Sequence, residues 1–81
     1  MVVRQVDYID RIRGLREDLD LKQREIARLL SVGQKTYSDY ETRKTRLPLD
    51  SAIILAKFYD VDLNYLCGVS DVKQPYPKKR G

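Results

Sequence analysis

The chain has 81 residues, 42% of them hydrophobic and 35% charged, with a net charge of +4, enough for one domain burying roughly 60 to 65% of its unfolded surface. With no histidine and one cysteine, Cys67, it can assemble no internal disulfide, no ordinary zinc ligand set and neither Ser-His-Asp nor Cys-His catalysis. No apolar run approaches the ~18 residues that cross a bilayer, and the acids of "MVVRQVDYID" interrupt the stretch an export signal needs, so the expectation is a cytoplasmic protein that is no enzyme and has no membrane contact.

Ile9, Ile12, Leu15 and Leu19 recur at spacings of three and four, which predicts a first amphipathic helix over about residues 6–18. Gly14 inside it costs about 1 kcal/mol relative to alanine. After a break at residues 18–21, with Asp20 as the expected N-cap, "KQREIARLL" predicts a second helix whose Ile26, Leu29 and Leu30 turn inward. "SVG" then leaves room only for a tight turn before a third helix, Gln34 to about Thr42, so these two helices must cross steeply.

Pro48 suits the first turn of a fourth helix, "LDSAIILAKFY", whose Ile53, Ile54, Leu55, Ala56 and Phe58 make it the most apolar segment and the expected central core helix. A short fifth helix, about Asp62 to Cys67, stops at Gly68. Repeats and strand-period alternation are both lacking, so five short helices in one all-α domain over residues 1–70, with a basic, flexible tail over 71–81, are expected.

The third helix is unusually polar for the middle of so small a domain. Tyr37 and Tyr40, with Val32 from the turn, supply its single apolar stripe, and Gln34, Lys35, Ser38, Asp39 and Thr42 share the outward surface. Such a row of donors and acceptors matches the DNA major groove, which presents a readable pattern and admits one helix. A merely solvated helix with a Lys35–Asp39 pair fits the same residues. Arg43, Lys44 and Arg46 follow in a loop, while Lys78, Lys79 and Arg80 close the chain. Either cluster alone reads as readily as a solvated charge run.

Taken in order, "IRGLRED", "LKQREIARLL", "SVGQKTYSDYE" and "LPLDSAIILAKFYDVDLNYLCG" resemble the lambda-repressor or Cro-like helix-turn-helix regulators of bacteria and their phages, over about residues 9–68. The resemblance implies a five-helix lambda-repressor-like domain with a central helix-turn-helix that binds double-stranded DNA and needs no cofactor or metal. Ala27 then lets the two motif helices approach, and Tyr37 fills the buried aliphatic position of the recognition helix. Gln34, Lys35 and Ser38 read base edges with Asp39 and Thr42 beside them. Gln23, Thr36, Tyr40, Arg43, Lys44, Thr45 and Arg46 are the implied phosphate contacts, which supply affinity and salt dependence without sequence information.

Three assignments stay open, one of them a pair. Asp39 either accepts from a cytosine amino group, neutralises Lys35 or points aside, with the Lys35 pairing preferred. Tyr40 either packs on the fourth helix, the preferred role, or offers its hydroxyl to a phosphate. Arg16 and Glu41 match a family salt bridge from the first helix to the end of the third, or are two unrelated surface charges. Two departures from the family pattern are Ser31 and Arg43, both where glycine is usual; a left-handed backbone at Ser31 would cost about 1 to 2 kcal/mol.

The functional expectation is a sequence-specific transcriptional regulator, a repressor acting by operator occupancy as a homodimer on two half-sites. Leu63, Tyr65, Leu66 and Val69 are its candidate contacts between copies, and are equally well explained as domain core. The alternatives are nonspecific nucleic-acid binding, or an antitoxin-type module that uses the same fold to occupy a partner protein.

Overall fold

Asp7 starts the first helix: its carboxylate accepts the Ile9 amide at 2.9 Å, satisfying one donor that the helix itself cannot. The computed structural model describes residues 7–77; the expected helix start at residue 6 and the basic run Lys78, Lys79 and Arg80 lie outside them. The described residues form five helices and no strand: α1 Tyr8–Asp18, α2 Gln23–Leu29, α3 Gln34–Glu41, α4 Leu49–Tyr59 and α5 Leu63–Leu66.

The turn between α1 and α2 corrects one expectation. Asp20 does not cap α2 but adopts φ 57, in the left-handed region. The cap is Lys22, whose amide donates to the Glu25 carboxylate at 2.8 Å, because the backbone needs an extra residue to turn after Asp20. Pro48 likewise lies one position before α4, as its N-cap.

The next turn puts its strain on a residue with a side chain. Ser31 has φ 59, while Gly33 is an extended N-cap with φ −71. Ser31 follows the end of α2, and the Val32 amide donates back to the Ala27 carbonyl at 3.0 Å, the usual way to close a helix through one left-handed residue. Glycine would relieve the ~1–2 kcal/mol steric cost at an entropic cost of roughly 0.5–1. Ser31→Gly is therefore expected to stabilise the protein by up to about 1 kcal/mol, seen as a higher urea midpoint at unchanged slope; a lower midpoint would show that Ser31 carries no strain.

The core gathers Ile12, Leu15, Ile26, Ala27, Leu30, Tyr37, Tyr40, Ala52, Leu55, Ala56, Val61 and Leu66. All five helices contribute, joined by Leu30 just past the end of α2 and by the loop residue Val61. The expectation for α4 holds only on one face: Ala52, Leu55 and Ala56 are buried, but Ile54 and Phe58 are 38% and 46% exposed. A helix packed on one side of a small bundle has only that stripe to bury. Leu29, expected inward, is also exposed.

The chain keeps packing past residue 70. The Asp62 amide donates to the Gln74 carbonyl at 2.8 Å, the Tyr76 amide donates to Asp60 at 3.1 Å, and the Tyr76 ring packs on the core. Arg11 fastens the start of this strap. Its guanidinium donates to the Tyr65 and Ser70 carbonyls, at 2.8 Å each, and pairs with Asp71 at 3.1 Å.

Candidate nucleic-acid interface

Alanine at position 27 of α2 is almost fully buried, and α2 packs against α3. On α3, Tyr37 is wholly buried and Tyr40 nearly so, their rings meeting edge to face with centroids 6.1 Å apart, an arrangement aromatic pairs favour. Pinning the helix by these two rings turns the rest of it outward. Gln34, Lys35, Thr36 and Thr42 are exposed, and Ser38 and Asp39 are half-buried.

All of these side chains except Thr36 surround a shallow depression together with Gln23 and Lys44. The Lys35 ammonium stands 3.3 Å from the Asp39 carboxylate, an exposed pair worth a few tenths of a kcal/mol. It positions Lys35 without consuming its remaining donors. The Thr42 hydroxyl donates to the Ser38 carbonyl at 3.0 Å, which leaves it only as an acceptor. Lys44 and Thr45 fold over the end of the helix, both amides donating to the Asp39 carbonyl at 2.9 and 3.2 Å.

One buried carboxylate fixes this helix to the two before it. Glu41, 2% exposed, accepts from the Arg16 guanidinium at 2.8 and 2.9 Å, from the Gln23 amide at 3.0 Å and from the Tyr37 hydroxyl. Arg16 itself also donates to the Leu21 carbonyl. Burial by itself would raise the Glu41 carboxyl, but Arg16, then Tyr37 and Gln23, outweigh it and hold the group below the usual carboxylate range. Burial, then the Glu41 contact, pushes the Tyr37 phenol far above its usual value, so it remains a donor.

Two expected phosphate contacts are engaged within the protein itself. Tyr40 belongs to the core, because α3 has no other large side chain beside Tyr37 to bury. Arg43 turns away from the reading face toward α1, donating from Nε to Asp7 at 3.0 Å and from Nη2 to both Asp7 and Asp10, the latter at 3.1 Å. Its backbone is left-handed, φ 67, which redirects the side chain. Gln23 is placed at the depression, but with one amide N–H committed to Glu41. Thr36, Lys44, Thr45 and Arg46 are exposed.

Sequence reasoning missed the Gln23–Glu41 and Tyr37–Glu41 bonds and the Asp7–Arg43–Asp10 cluster. The four-residue spacing of Tyr37 and Glu41 was a usable signal; the others join residues 18 to 36 apart.

A helix-turn-helix family model matches residues 12–66, more than half of the chain. The chain belongs to the helix-turn-helix family. Within it, the match is to the type of lambda repressor and Cro. An uncharacterized HTH-type transcriptional regulator of Bacillus subtilis, YobD, is 32% identical over 73 residues, covering 90% of this chain and 65% of its own. The cryptic phage CTXphi transcriptional repressor RstR of Vibrio cholerae is 38% identical over 64 residues, covering 79% of this chain and 58% of its own. This helix-turn-helix chain thus spans less than two thirds of either relative's length. No solved structure gives a significant match.

Proposed function

We propose that this helix-turn-helix protein binds double-stranded DNA sequence-specifically and represses transcription by occupying an operator. The observation that carries the reading is the arrangement of α3: two buried tyrosines and Glu41 fix it, while Gln34 and Lys35 stand outward, with Ser38 half-buried beside them, next to the Lys44–Arg46 loop. Gln34 can pair bidentately with adenine and Lys35 can donate to guanine, each good contact discriminating by about 1–3 kcal/mol. Asp39 keeps Lys35 in place, and Thr42 supports the end of the helix.

Gln23, Thr36, Lys44, Thr45 and Arg46 are the proposed phosphate contacts. The second N–H of the Gln23 amide is free of Glu41 and can donate to a phosphate oxygen. The similarity to a regulator and a repressor supports the regulatory role. No described helix is long and apolar enough to cross a membrane, in keeping with a protein that meets DNA in the cytoplasm.

One reading helix covers few base pairs, so two copies on a pseudo-palindrome are proposed, with half-sites roughly 10 base pairs apart or a multiple of that. Leu66 is fully buried and Leu63 and Tyr65 pack on the core, so of the expected contacts between copies only Val69 is open, at 70% exposure. The exposed Ile54 and Phe58 favour a second reading, an antitoxin-type module with a protein partner; co-purification of a stoichiometric second chain would select it.

Selection of duplexes from a random pool tests the assignment. Gln34→Ala is expected to change base preference at one position of each half-site, by about 1–3 kcal/mol. Arg46→Ala should weaken all sequences alike and lower the slope of log K against log salt by about one. Equal, preference-neutral losses from both would contradict the division of roles.

A further inference from the structure

Arg43 occupies a costly position. Its left-handed backbone strains any residue with a Cβ by about 1–2 kcal/mol, and the side chain reaches back 33 and 36 residues to Asp10 and Asp7. The ion pairs give little stability in return. Arg43, Asp7 and Asp10 are 48%, 42% and 56% exposed at their side chains, and such solvated pairs contribute about 0–1 kcal/mol. What the geometry does provide is a guanidinium whose Nε and Nη2 both donate to one Asp7 oxygen, with Nη2 also donating to Asp10; this is the edge it would turn to a phosphate.

The cluster borders the surface proposed to meet DNA. Arg43, Asp7, Thr45 and Arg46 line one depression, and Lys44, from the same loop, lines the depression of the reading helix. A duplex lying on α3 and touching Thr45 and Arg46 therefore brings backbone phosphates within reach of Arg43.

We propose that Asp7 and Asp10 are an internal competitor for the DNA backbone: they hold Arg43 in the free protein, and a phosphate takes the guanidinium over on binding. The inference rests on the DNA-binding reading above. Handover costs the two ion pairs and leaves two carboxylates near DNA, so affinity is lower, and less salt-dependent, than the loop's cations alone would give. The acidic pair is thus a brake on nonspecific backbone binding, acting equally on every sequence.

Binding of the full chain to a random-sequence duplex over a salt series, followed by fluorescence anisotropy, tests this. Asp7→Asn with Asp10→Asn keeps a side-chain acceptor at the α1 cap and is expected to tighten binding roughly three- to tenfold and steepen the salt slope by nearly one. Asp10→Asn alone, which leaves the cap untouched, should give part of both effects. In an Arg43→Gln background the same substitutions should lose most of their effect. Unchanged affinity and slope in the double variant would overturn the proposal, as would an equal gain with and without Arg43, which is plain repulsion. No duplex binding by the wild type at low salt would instead remove the DNA-binding reading itself.

Discussion

Replacing Arg16 with methionine is expected to lower stability by about 3 kcal/mol or more and to reverse the protein's response to mild acid. Glu41 is 2% exposed, and Arg16 supplies two of its four hydrogen bonds. Without that guanidinium a buried carboxylate keeps only the Gln23 amide and the Tyr37 hydroxyl. Removing one partner of a buried pair is far more damaging than never having built it.

The pH response distinguishes this from simple loss of packing. In the wild type Glu41 titrates below its usual range, so its contribution is present above the unfolded pKa and disappears as pH falls through the lower folded value. In the Arg16→Met variant the burial effect dominates and the folded value rises above the unfolded one. Its contribution then grows as pH falls and is lost as pH rises through the raised value. Urea midpoints from about pH 7 down to about pH 5 should therefore rise for the variant but not for the wild type. Parallel curves would mean that another group, not Glu41, absorbs the loss.

Ala27→Leu should be nearly as damaging. The side chain at 27 is 2% exposed in the core that also holds the buried face of α3, and extra methylenes in a packed site cost about 1–3 kcal/mol, occasionally more. The functional effect should exceed the loss of folded protein, because widening the crossing moves Gln34, Lys35 and Ser38 relative to Gln23 and the loop. Duplex binding measured well below the melting temperature should fall by tenfold or more, about 1.4 kcal/mol or above. Wild-type binding by a still-folded variant would show that the crossing tolerates a larger residue.

Helix order and the outward polarity of α3 were readable because they follow from local periodicity. Ile9, Ile12 and Leu15 report α1 by spacing alone, and Tyr37 and Tyr40 report which side of α3 must face in. Asp20 was misplaced because capping preference gives the residue type, not whether the backbone has finished turning; aspartate also tolerates the left-handed region it occupies. Ile54 and Phe58 looked like core because hydrophobicity along α4 is nearly continuous, and only the packing of neighbours selects the buried stripe. The pairing of Arg43 with Asp7 and Asp10 is not legible, because charge in a loop says nothing of direction. The strap of Gln74 and Tyr76 was hidden by prolines, which suggest fraying but also lower the entropy cost of an extended segment docking.

The Glu41 junction separates what holds the molecule together from what it recognises. Gln34, Lys35 and Ser38 contribute no side chain to that junction or to the hydrophobic interior. On the proposed assignment, new DNA preferences can be written onto this scaffold by exchanging a few groups outside the core, and the design problem shrinks to chemistry at the groove with folding left untouched.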